Sequence, residues 1–172
     1  RIDKFILFLF CVFGQLGISV VSYFAGYENF TLFCILMTLR GLFGGGVAVM
    51  MMMFTSDFIE YGEFSTGKRL QGTAYSVQTF IFKFMTALSG AIVMFVMGAA
   101  GFIEGEGASQ SAGVLQVIWA LLSLFPALGA ALSLPFFLSY KLRDRDVQIM
   151  AKANIGEMSR EEALTALGGR YI

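Results

Sequence analysis

Histidine does not occur in this sequence, and cysteine and proline appear only twice each. The missing imidazole removes the commonest metal ligand and the side chain best suited to proton transfer near neutral pH. Cys11 and Cys34 both fall inside apolar runs. With no metal-binding spacing, they read as small packing residues rather than as a disulfide. Charge is scarce too: charged residues make up 14% of the chain and balance to a formal net charge of zero, against about a quarter charged in soluble domains. A chain without a basic excess has no electrostatic footprint for nucleic acid. No aspartate or glutamate lies deep in an apolar run either. The acid–base and metal chemistries of an intramembrane enzyme therefore lack their usual residues, and no cofactor is expected.

What the chain has in abundance is apolar surface. Hydrophobic residues reach 57%, with nineteen phenylalanines, ten methionines and twenty glycines. A chain of this length could not cover that surface in water, whereas helices facing lipid need not. The fold class that follows is an all-α membrane protein. Four stretches come near or exceed the roughly 20 residues that cross a bilayer: about 5–23, 30–54, 74–102 and 114–140. Gly26-Tyr27-Glu28-Asn29 is a tight turn, which makes the first two spans antiparallel neighbours. Residues 55–72 read as a charged connection and 103–113 as a Gly/Ser-rich acidic one. Beginning on Arg1 and entering an apolar run almost at once, the chain reads as the end of a longer protein, not as a signal peptide and domain.

Orientation follows from the basic residues. Arg1 and Lys4 precede the first span, Lys68 and Arg69 lie between the second and third, and Lys141, Arg143 and Arg145 follow the fourth. The opposite connections carry only Glu28, Glu104 and Glu106. The positive-inside rule puts both chain ends and the middle connection in the cytoplasm of a cell (inner) membrane. Residues 1–140 thus form the membrane part, and 141–172 a cytoplasmic tail. In that tail Ser159-Arg160-Glu161-Glu162 has the capping-box pattern, predicting a short helix that Gly168-Gly169 stops.

Two cations interrupt the spans. Lys83 falls about 15 Å into the third, too deep to snorkel easily, and burying it costs about 2.5–3.5 kcal/mol even on the lenient insertion scale. Tyr75, Gln78, Thr79, Lys83 and Thr86 recur at three- and four-residue spacings and form one polar stripe. Such donors suit a polyhydroxylated substrate in a watery cavity; they equally suit a structural lysine paired with a carboxylate elsewhere. Arg40 lies mid-depth in the second span, followed by Gly41, Gly44, Gly45 and Gly46, and it too fits either a cavity or a pairing role. Gln15, Ser19 and Ser22 give the first span a weaker polar side, consistent with helix–helix packing. In the middle connection, Asp57, Glu60 and Glu63 stand opposite Lys68 and Arg69. An ion-pair latch formed in one state and broken in another would control access there.

The run from Ser56-Asp57-Phe58-Ile59-Glu60-Tyr61-Gly62-Glu63 through Ala74-Tyr75-Ser76-Val77-Gln78-Thr79 to Lys83 resembles a known group. It is similar to the glycoside–pentoside–hexuronide:cation symporters, the melibiose-carrier-like family of the major facilitator superfamily. The resemblance implies that the four spans correspond to helices nine to twelve of a twelve-helix, two-bundle transporter. It implies a sugar or glycoside substrate, a coupling cation (Na⁺, H⁺ or Li⁺) and an N-terminal bundle as partner. It implies that Tyr75, Gln78, Thr79 and Lys83 line or adjoin the substrate and cation sites. By the same likeness Asp57, Glu60, Tyr61 and Glu63, with Lys68 and Arg69, belong to a cytoplasmic gate. Arg40 departs from the family pattern. The competing expectation is a small structural or assembly subunit of a membrane complex.

Overall fold

In a computed structural model, residues 3–105, 108–169 and 171 are described; Arg1 and Glu106, counted above for their charge, lie outside them. Among the described residues six helices follow one another: α1 (Lys4–Ala25), α2 (Phe30–Thr66), α3 (Gln71–Ala99), α4 (Ala112–Leu138), α5 (Asp144–Asn154) and α6 (Arg160–Ala166). The first four are long and apolar enough to cross a membrane. Their ends are chemically marked. Asp3 caps α1 by accepting from the Phe5 amide at 2.9 Å, Asn29 caps α2 from Leu32, and Ser111 caps α4 from Val114. Gly26 (φ 71°) closes α1 in a backbone conformation that costs glycine little.

The middle connection is much shorter than the sequence predicts. Residues 55–66 continue α2 as helix, and only 67–70 join it to α3. The charges that suggested a loop lie along a helical ridge instead. Asp57, Glu60 and Glu63 at three-residue spacing share a side and find partners there. Gly67 (φ 72°) stops the helix, its N–H donating to Glu63 O at 2.8 Å.

α1 is the central element, packed against α2 on one side and α4 on the other. Phe8, Val12, Met50 and Phe54 are buried together, with the Phe137 ring of α4 tilted against Phe8 at 4.1 Å between centroids. Close approach of α1 and α2 depends on two glycines. A Cβ on Gly14 would sit 2.5 Å from the Phe43 ring, and one on Gly46 would sit 2.7 Å from Cys11 Sγ. Gly46 and buried Cys11 therefore act in packing, whereas Gly41 and Gly45 face open space. Ser19, Ser22 and Ser123 are wholly buried. The Ser22 and Ser123 hydroxyls donate to carbonyls one turn back, and Trp119 Nε1 reaches from α4 to Tyr23 O of α1 at 3.3 Å. Small hydroxylated residues let helix backbones approach, which is how helices associate in lipid.

α3 differs from its neighbours. It touches α2 and α4 lightly and none of its residues is buried.

The tail holds two helices where the sequence predicts one. α6 has the expected capping box: Ser159 Oγ accepts from the Glu162 amide at 3.2 Å, and Glu162 accepts from the Ser159 amide at 3.0 Å. Hydrogen bonding to its carboxylate from the Ser159 backbone amide, and then from the Ser159 side chain, holds the Glu162 carboxyl below its ordinary range. Gly168 and Gly169 follow with φ of 63° and 69°. The unpredicted α5 carries Asp144 and Asp146 in its first turn and Lys152 in its last, matching the helix dipole. Val147 and Met150 of α5 bury against Phe64 at the far end of α2, together with Leu142, Ala163 and Leu167. The tail is thereby a second small core that gives the projecting end of α2 something to pack on.

Candidate functional site

The polar stripe of α3 is divided by its surroundings. Tyr75 and Gln78 turn toward α2: the Tyr75 hydroxyl lies 3.0 Å from Ser56 Oγ, and Gln78 Nε2 donates to Met51 O at 3.4 Å. The Thr86 hydroxyl is satisfied within its own helix by Phe82 O at 2.8 Å. Thr79 and Lys83 are exposed. At 3.6 residues per turn, the eight-residue step from Tyr75 carries Lys83 about 80° round the helix. Its ammonium makes no ion pair among the described residues. An amide and a phenol thus hold the stripe to α2, while a hydroxyl and a cation on its flank are exposed.

Arg40, half exposed on α2, donates through Nη1 to the backbone carbonyl of Leu122 in α4. Its partner is a carbonyl, not a carboxylate.

The acidic ridge of α2 is fully engaged, but in two separate groups. Arg69 bridges Glu60 at 2.9 Å and Glu63 at 2.5 Å. Hydrogen bonds to Glu60 and then Glu63 raise the already high pKa of its guanidinium. Asn154 of α5 adds 3.0 Å bonds to the Glu60 carboxylate and carbonyl. Asp57 stands apart from this group. Its two oxygens take the Lys4 ammonium at 2.6 and 2.8 Å, and Lys4 also lies 3.4 Å from Asp144. Lys68 forms no ion pair among the described residues; its amide donates to Thr66 Oγ1 at 3.3 Å. Tyr61 packs edge-on to Tyr171 with ring centroids 6.1 Å apart, and Tyr171 donates to Asp146 at 2.7 Å. The expected latch of three acids against Lys68 and Arg69 is therefore two acids against Arg69 alone.

Several members of this cluster were not legible as site residues. Lys4 counted only toward orientation, and Asp144 and Asn154 belong to the unpredicted helix. Nothing in the sequence marked Lys4 as paired, since a lysine at the first turn of an apolar helix can equally reach the interface. Arg143, another orienting charge, lies over the Phe5 ring at 4.1 Å. A cavity of about 460 Å³ opens at the other end of the bundle beside Tyr27, Glu28 and Trp119, away from both groups.

Comparison with known proteins agrees with this architecture. Residues 1–144 match the family described as MFS/sugar transport protein. An uncharacterised 29.9 kDa protein of Pseudescherichia vulneris is 30% identical over 91% of this chain and 56% of its own length. A glucuronide carrier protein homolog of Escherichia coli is 32% identical over 59% of the chain and 22% of its own. An isoprimeverose transporter of Lactiplantibacillus pentosus is 29% identical over 66% and 24%. The chain thus spans just over half of the first relative and about a quarter or less of the two named carriers. No solved structure matches it. With four membrane-length helices and a family match over most of its residues, this multi-pass chain belongs to the MFS/sugar transport proteins, in the glycoside–pentoside–hexuronide:cation symporter family that its motifs resemble, and is not an enzyme.

Proposed function

We propose that these residues form the part of a sugar or glycoside:cation symporter that corresponds to helices nine to twelve, working by alternating access against an N-terminal bundle. The observation that carries the reading is Lys83, a cation with no ion pair among the described residues, near the middle of a membrane-length helix and beside exposed Thr79. Such a charge in an apolar span marks a substrate or ion pathway by default. The coupling cation is Na⁺, H⁺ or Li⁺, and the substrate is a polyhydroxylated sugar whose hydroxyls meet the donors of α3. In this reading the end bearing Lys4, Arg69 and Arg143 faces the cytoplasm of the cell membrane. Uptake of labelled glycosides and pentosides into vesicles bearing the full-length carrier tests it directly. Accumulation that follows an imposed Na⁺, Li⁺ or H⁺ gradient is expected; gradient-independent equilibration across the whole panel would remove the symport reading.

The Arg69 group supplies the inner gate of this scheme, and Tyr61 lies beside it. Arg69 is exposed, so its two pairs are weak, solvent-screened contacts that can open readily. Arg69→Ala in the full-length carrier should therefore shift the equilibrium toward the inward-open state by up to about tenfold. Alkylation of a Thr79→Cys reporter from the cytoplasmic side reads that shift. An unchanged alkylation rate would place Arg69 outside the gate.

A further inference from the structure

Pro126 sits inside α4 and has no amide hydrogen to give to the carbonyl four residues back, which is that of Leu122. In water that carbonyl would be solvated. In the hydrocarbon region nothing but protein can satisfy it. The group that reaches it is the guanidinium of Arg40, from a different helix. The two residues sit at matching depth. Each lies ten residues beyond the first residue of its helix, and α2 and α4 both start at the bundle end opposite Lys4. That places the contact about 15 Å along each helix.

We infer that Arg40 is the replacement donor for the hydrogen bond that Pro126 removes. The charge sits in the membrane because the broken helix needs it there, and not to meet the substrate. A second proline provides the contrast. Pro135 also lies within α4 and likewise leaves the Ala131 carbonyl without its amide. It stands three residues from the helix end, and no side chain donates to Ala131 O among the described residues. Near a helix end water and headgroups can do that work; midway along they cannot. The assignment also accounts for the choice of arginine. A guanidinium offers several N–H groups in a fixed fork, so one can hold a carbonyl while the others face whatever water or protein lies alongside.

The inference predicts coupling between two residues that are far apart in sequence. Thermal unfolding of the full chain in detergent is to be compared for the unaltered protein, Arg40→Met, Pro126→Ala and the double variant. Arg40→Met alone is expected to lower the midpoint by roughly 4–8 °C. In the Pro126→Ala background, where the helix supplies its own amide, the same change should cost less than half as much. Equal losses in both backgrounds would overturn the assignment. If Arg40→Met fails to accumulate in the membrane, accumulation itself becomes the readout. Recovery on adding Pro126→Ala supports the pairing, and failure to recover refutes it.

Discussion

Lys83→Ala in the full-length carrier is expected to reduce gradient-driven uptake by about 10- to 100-fold while leaving its abundance in the membrane unchanged or higher. The two halves of this result have separate causes. A charge-assisted hydrogen bond to a bound sugar or a coupled group contributes about 1.5–3 kcal/mol, and each 1.4 kcal/mol is a factor of ten in transport. Folding has little to lose, because Lys83 is exposed and makes no ion pair among the described residues. Insertion has something to gain, since removing a mid-span cation relieves about 2.5–3.5 kcal/mol. The paired measurement is initial uptake normalised to carrier quantified in the same vesicles. Lost uptake with lost protein would mark Lys83 as structural. Unchanged uptake and unchanged cation dependence would sink the assignment of the stripe.

Asp57→Ala should produce the larger structural effect, lowering the unfolding midpoint by roughly 5–10 °C. Both Asp57 oxygens hold the Lys4 ammonium, and Asp57 is only 5% exposed. Lys4 in turn reaches Asp144 through its ammonium at 3.4 Å and its amide at 3.1 Å, so one cation ties together α1, α2 and α5. Removing one partner of a buried pair costs about 3–5 kcal/mol. The effect is set at about 2–3 kcal/mol here, because Lys4 keeps some solvent and retains Asp144. Increased amide exchange should appear together at the start of α1 and in α5. Joint replacement, Lys4→Met with Asp57→Leu, should restore most of the midpoint, because neither member of the buried pair is left alone and Asp144 keeps solvent and the residue 4 amide. A midpoint unmoved by Asp57→Ala would mean that the pair adds nothing to the fold.

How much of this could be read beforehand varies along the chain. The four spans were legible because lipid selects for length and hydropathy alone, and α1 was placed at 5–23 against an observed 4–25. The Ser159 cap follows from local chemistry and was equally readable, whereas Asn29 was read only as part of a turn. The continuation of α2 past residue 54 was not, since a charged helix and a charged loop look alike until their partners are known. Those partners, Lys4, Arg69 and Asn154, come from three different segments. α5 was legible in principle from its acids at one end and lysine at the other. In the site, residue types were readable and pairings were not: the stripe appeared continuous, yet α2 engages Tyr75 and Gln78 and leaves Lys83 exposed. The choice between two roles for Arg40 needed the distant Pro126.

The length of α2 has a mechanical consequence. Its 37 residues extend about 55 Å, close to twice the roughly 30 Å hydrocarbon layer. An unbroken rod of that kind is a lever whose fulcrum lies where the bilayer and α1 hold it. A tilt of about 10° about its midpoint, too small to disturb most packing, sweeps its tip through about 5 Å. Arg69 and its acids ride together on that tip, so modest rocking within the membrane moves their whole group and drags along the tail helices packed on Phe64.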